Sequence, residues 1–179
     1  MPKETINICI PVFNEERNLH TLYENLSDFV SSKAKKFDVN FEIIYFDDGS
    51  TDNSRKIIEN FENVKLIFTN ENKGLGNAIK ELMIYTKNSE AIGMFKIDGD
   101  GQMDVNDIEV FLENNRHKEF DVIYGNRFHK SSNYKMPILR KFGSTFFKLL
   151  MKLFSIKSSD PTNGFIYLNR KYIENFKII

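Results

Sequence analysis

Cysteine is nearly absent from this chain. One in 179 residues excludes a disulfide framework within it, and Cys9, inside the apolar run 6–12, reads as a small buried hydrophobe rather than a nucleophile. A surplus of charge is missing too: 25 Lys and Arg face 25 Asp and Glu, so no bulk field draws the protein to nucleic acid. No apolar stretch approaches the ~20 residues a bilayer span needs. The opening Met1-Pro2-Lys3-Glu4 leads straight into an apolar run without the layout of a signal peptide. Repeats, low-complexity tracts and Pro-, Gly- or Ser-rich linkers do not occur. His20, His117 and His129 are scattered and suggest no metal cluster. A cytoplasmic protein of one domain, residues 1–179, is expected, long enough to bury a sizeable core.

What the chain does have is alternation. Short apolar runs at 6–12, 41–46, 64–68, 91–97, 120–124 and 165–168 read as strands. Amphipathic stretches at 15–32, 52–61, 74–85 and 105–117 read as helices between them. Such alternation predicts an α/β fold, a mostly parallel central sheet with helices on both faces. Ligands of such sheets bind beyond the carboxyl ends of the strands, so the residues there carry the functional reading.

The most informative of them are Asp98-Gly99-Asp100-Gly101-Gln102, directly behind the run 91–97. Two carboxylates one residue apart at a strand end can face a single point. Their hard oxygens suit Mg²⁺ or Mn²⁺, an ion that takes its remaining ligands from waters and a substrate diphosphate. Asp and Gly are also the commonest turn residues, so an ordinary turn competes with this reading. Asp47 or Asp48, beyond the second strand, stands where an acid commonly takes a ribose hydroxyl or a base N–H. Ser50, Thr51 or Asp52 can cap the helix that follows. Lys73 and Gly74 open a helix in a setting suited to a phosphate, yet the segment is neither a Walker loop nor a dinucleotide fingerprint.

Four segments, taken together, resemble the family-2 glycosyltransferases: residues 10–16 (Ile-Pro-Val-Phe-Asn-Glu-Glu), 47–52 (Asp-Asp-Gly-Ser-Thr-Asp), 72–78 (Asn-Lys-Gly-Leu-Gly-Asn-Ala) and 98–100 (Asp-Gly-Asp). They occur in the family's order across nearly the whole chain. The resemblance implies the GT-A fold, a Rossmann-like nucleotide-sugar domain. It assigns a UDP- or GDP-sugar donor to Pro11, Phe13, Asn14, Glu15, Asp47, Asp48, Lys73 and Gly74, with Asp98 shared between donor and metal. Asp98, Asp100 and Gln102 match the acidic motif that holds Mg²⁺ or Mn²⁺.

The later part looks like the polyprenyl-phosphate branch, to which dolichol-phosphate mannose synthase belongs. Gly125-Asn126-Arg127 resembles that branch's Gly-Ser-Arg, Arg140 stands where a second arginine is expected, and residues 160–165 resemble its Asp-x-x-Ser-Gly-Phe. Asn126, Asn163 and Ile166 depart from the pattern, the last from an arginine that often follows the phenylalanine. The branch implies an inverting transfer to a polyprenyl phosphate at the cytoplasmic membrane face.

That acceptor fits the chemistry. A sugar hydroxyl needs a general base, which many family members supply from a Glu-Asp pair; none occurs between Arg127 and Phe165. A phosphate, with its second pKa about 6, is largely ionised at neutral pH and attacks without one. Its positioning then falls to cations, for which Arg127 and Arg140 are the candidates as bidentate phosphate partners; Asp98, Asp100 and Arg127 form the expected catalytic set. The stretch 140–156 sets Lys141, Lys148 and Lys152 along one strip and apolar residues elsewhere, a pattern suited to a membrane interface and equally to a helix packed on the sheet. Two rival readings stay open: transfer to a saccharide hydroxyl in surface-polysaccharide synthesis, and an inactive nucleotide-sugar-binding module. Family members usually continue past the point where this chain reaches Ile179, so the domain reads as shortened or minimal at its carboxyl end.

Overall fold

The computed structural model describes residues 3–113, 116–125 and 164–176. The chain divides into two units, Met1–Ile123 with Phe165–Ile179, and Tyr124–Gly164. Of the second, only Tyr124, Gly125 and Gly164 are described. Arg127, Arg140 and the stretch 140–156 therefore lie outside the described residues.

Strand β1 (Glu4–Val12) is central and buried from Ile6 onward, as expected of a strand covered on both faces. It pairs in parallel with β2 (Val39–Asp48) on one side and β4 (Ala91–Lys96) on the other. Outside β2 lies β3 (Val64–Thr69), also parallel. Beyond β4 come β6 (Ile166–Asn169) and then β5 (Val122–Tyr124), giving one 6-stranded sheet of order β3-β2-β1-β4-β6-β5. All the predicted strands are present, β2 extended by two residues at each end.

Two core clusters follow from the alternation of side chains along each strand. On one face Ile6, Ile8, Ile10 and Val12 meet α1 (Leu19–Lys33) through Leu19, Leu22, Leu26 and Phe29, which recur at helical spacing. Full burial of each such side chain contributes about 2 kcal/mol. Helices α2 (Ser54–Glu59) and α4 (Asp107–Leu112) add Ile58, Ile108, Phe111 and Leu112 to the same face. On the other face Cys9, Ile44 and Phe46 meet Ala78, Leu82 and Met83 of α3 (Leu75–Asn88) and Ile173 of α6 (Arg170–Asn175). Helices thus cover both faces, and Cys9 is a buried core residue whose thiol burial pushes up to about 12.

Two expectations are refined. The stretch 105–117 is not one helix: α4 stops where Glu113 turns to extended backbone, and a short α5 (Arg116–Glu119) follows. The sheet is mixed, because β6 runs antiparallel to β4. An apolar run looks the same in either direction, so periodicity left that orientation open. Gly93 permits the pairing: a Cβ there would lie 2.6 Å from the Leu168 carbonyl oxygen.

Candidate functional site

The register Val12↔Asp47 and Asp48↔Thr69 brings the carboxyl ends of β1, β2 and β3 to one edge. The Ile97 N–H donates to the Cys9 carbonyl at 3.0 Å, so the chain beyond β4 leaves beside β1. The loops following β1, β2 and β4 thus meet at this edge.

The β1 and β2 loops are bound into one unit by their own polar side chains. Asn14 takes a left-handed backbone (φ 57°), which Asn tolerates better than most residues. Its N–H donates to the Ser50 hydroxyl at 3.0 Å, and its side-chain oxygen accepts from the N–H of Thr51 at 2.8 Å and of Asp52 at 3.3 Å. The Glu15 N–H donates to Ser54 Oγ at 2.8 Å and the Glu16 N–H to Asp52 at 3.2 Å. Asp52 also accepts from the Ser54 N–H at 2.8 Å, holding the entry to α2. Burial works to raise the Asp52 carboxyl, but hydrogen bonds from the Ser54 hydroxyl and from nearby backbone N–H groups outweigh it and hold the pKa below the usual range.

Asp47 and Asp48 are buried and hydrogen-bonded within the protein. Asp47 is fully buried; it accepts from Arg55 Nε at 2.7 Å and from the Ser50 N–H at 3.1 Å. The same Arg55 donates to the Thr69 carbonyl at 2.5 Å and lies 4.3 Å over the Phe68 ring, tying α2 to β3. Asp48, 3% exposed, accepts from the N–H groups of Lys73 at 3.1 Å and Gly74 at 2.7 Å. The amides of Lys73 and Gly74 at the start of α3 carry the Asp48 carboxylate in this structure. Both aspartates have their oxygens engaged with the protein itself. Asn14 likewise spends its side-chain oxygen on the neighbouring loop. Gly49, at φ 72°, is required because a Cβ would fall 2.6 Å from the Glu71 carbonyl carbon.

Asp98 and Asp100 remain half-buried at the same edge. Gly99 between them packs on the β1 loop, where a Cβ would stand 3.1 Å from the Pro11 carbonyl oxygen. Asp100 accepts from the Gln102 N–H at 3.0 Å in a tight turn, and Gly101 takes a left-handed φ of 68°. The turn and the metal reading are therefore compatible: one Asp100 oxygen shapes the turn, and the residue keeps partial exposure. Asp98 carries a close ion pair to the Lys96 ammonium. The donor set, two hard carboxylates with the exposed Gln102 side chain two residues on, suits Mg²⁺ or Mn²⁺. Among the described residues no group of three or more His, Cys, Asp or Glu side chains gathers to hold an ion.

Phe13 projects at this edge with 42% exposure, and the Lys73 side chain is exposed as well. A groove of about 710 Å³ lies between α1 and the loop 101–106 and reaches Gln102, flanking the aspartates rather than containing them. Sequence reasoning missed Lys96, Arg55 and Ser54. Lys96 had a signal, being the one charged residue inside the apolar run 91–97. Arg55 and Ser54 had none, since their partners are distant in sequence or read as ordinary capping residues.

Comparison with known proteins bears on the family and the fold. The chain is 25% identical over 134 residues to the dolichyl-phosphate beta-glucosyltransferase of Dictyostelium discoideum, a match covering 69% of this chain and 40% of that protein. It is 27% identical over 181 residues to the bactoprenol glucosyl transferase of Shigella phage SfV, covering 97% of this chain and 55% of the relative. The chain thus spans about half the length of these relatives. Among solved structures, mannosyl-3-phosphoglycerate synthase from Rubrobacter xylanophilus shares the fold with a TM-score of 0.64 at 14% identity, over 94% of this chain and 54% of that one. Residues 7–176 match Glycosyl transferase family 2, and the chain belongs to that family.

Proposed function

We propose that this chain is the catalytic domain of a metal-dependent, inverting glycosyltransferase that moves a sugar from a nucleotide donor to a polyprenyl phosphate. The observation that carries the reading is the meeting of Asp98, Asp100 and the β1 loop at one sheet edge, in a family whose relatives here are named for dolichyl-phosphate and bactoprenol. Asp98 and Asp100, with Gln102, would hold Mg²⁺ or Mn²⁺, which would supply positive charge against the departing nucleoside diphosphate. The nucleoside lies against the loop from Pro11 to Glu15, with Phe13 as its apolar surface. Asp47 and Asp48 serve this pocket by fixing its loops, and the Lys73 ammonium is left for the donor's phosphates. An acceptor phosphate oxygen forms the new bond to the anomeric carbon; the bond to the diphosphate oxygen breaks, and its electron pair leaves with the nucleoside diphosphate.

Arg127 and Arg140 take the acceptor phosphate in this reading, on the strength of the sequence resemblance. No helix among the described residues is long and apolar enough to cross a membrane. The lipid acceptor places the domain at the cytoplasmic membrane surface, and the basic, apolar stretch 140–156 is its contact there. Calorimetric titration with UDP and GDP, each with Mn²⁺ and with EDTA, tests the donor half. Metal-dependent binding of one nucleotide is expected; no binding by folded protein favours the inactive-module reading. Asp100→Ala is expected to lower transfer to a polyprenyl phosphate at least ~100-fold with an unchanged melting temperature. Near-full activity in that variant overturns the metal assignment, and activity on water-soluble saccharides alone overturns the acceptor.

A further inference from the structure

Lys96 is the feature that the reaction above does not use. It is 4% exposed on β4, its Cα paired with Cys9 of β1 on one side and Ile166 of β6 on the other. An ammonium buried this deeply needs an anion, and Asp98 supplies it in a direct ion pair. Asp98 is therefore claimed twice: once by Lys96 and once, under the function proposed above, by a divalent cation.

We propose that Lys96 competes with the divalent cation for Asp98 and thereby makes metal binding depend on the nucleotide. This inference rests on the metal reading of Asp98 and Asp100. A cation arriving at Asp98 must share a carboxylate already engaged, a few ångströms from a fixed positive charge, where partial burial leaves the repulsion poorly screened. Metal alone binds weakly for that reason. A nucleoside diphosphate brings negative charge between the two cations, turns repulsion into attraction on both sides, and tightens the metal. By linkage, metal tightens the nucleotide by the same factor. The sequence element that produces this is one lysine placed two residues before the acidic motif, on the strand that aims it.

The test is titration with Mn²⁺, following free Mn²⁺ by electron paramagnetic resonance, with and without UDP or GDP. Lys96→Met is expected to bind Mn²⁺ alone about tenfold more tightly than the native chain, and to show a smaller gain on adding nucleotide. A purely structural role for Lys96 predicts the opposite, since damage to the site weakens metal. Equal or weaker Mn²⁺ affinity in Lys96→Met overturns the inference and leaves the metal reading standing. No Mn²⁺ bound by either protein, with or without nucleotide, overturns both. Should Lys96→Met fail to show a native melting transition, Lys96→Gln, which keeps an N–H donor for Asp98, makes the same measurement.

Discussion

One arginine outside the residues singled out by the motifs ties several parts of the candidate site together. Arg55 neutralises the fully buried Asp47, reaches the Thr69 carbonyl and covers Phe68. Arg55→Met strands a buried carboxylate, and a loss of about 3 kcal/mol in urea unfolding is expected. Adding Asp47→Asn to that variant should recover part of the loss, because no buried charge is then left without a partner; a double-mutant cycle measures the recovery. The aspartates themselves were legible from the sequence, as was their place beyond a strand end. Their orientation was not. Whether Asp48 faces a ligand or the amides of Lys73 and Gly74 depends on how closely the 71–74 loop approaches Gly49, and no local pattern encodes that distance.

At the scale of elements, central strands were the easiest to read. β1 and β4 are covered on both faces, so their sequences are nearly continuous apolar runs. The pair β4–β6 was the hardest, since its antiparallel sense rests on close approach at Gly93. Gly93→Ala would push a methyl group into the Leu168 carbonyl and the Tyr167 ring. A cost of about 2–3 kcal/mol is expected from such overpacking, read as a lower urea midpoint. The division of the stretch 105–117 into α4 and α5 has the same origin: the amphipathic pattern continues across it while the backbone at Glu113 does not.

For the molecule as a whole, acid sensitivity should trace to the α5 end of the sheet. His117 is 5% exposed, and among the described residues neither ring nitrogen has a hydrogen-bond partner. Burial, reinforced by Lys118 and opposed by Glu4, holds its pKa below the usual 6.5. The folded state therefore refuses a proton that the unfolded chain accepts. Stability is complete above pH 6.5 and falls as the pH drops beneath it, levelling only below the folded pKa. His117→Leu should flatten the fall in melting temperature between about pH 7 and 5. Asp52, whose carboxyl is lowered, acts in a separate window, its contribution present above 3.8 and lost as pH falls through its folded value. The two effects can be told apart by where they set in.

The clamp formed by Asn14, Asp52, Ser54 and Arg55 has a consequence for kinetics. The loops after β1 and β2 are fastened to each other by hydrogen bonds within the protein. Under the proposed function, an incoming nucleoside has no loop to order on that side, so the entropy of ordering it is already spent in folding. Under that function, encounter on that side is governed by diffusion and shape.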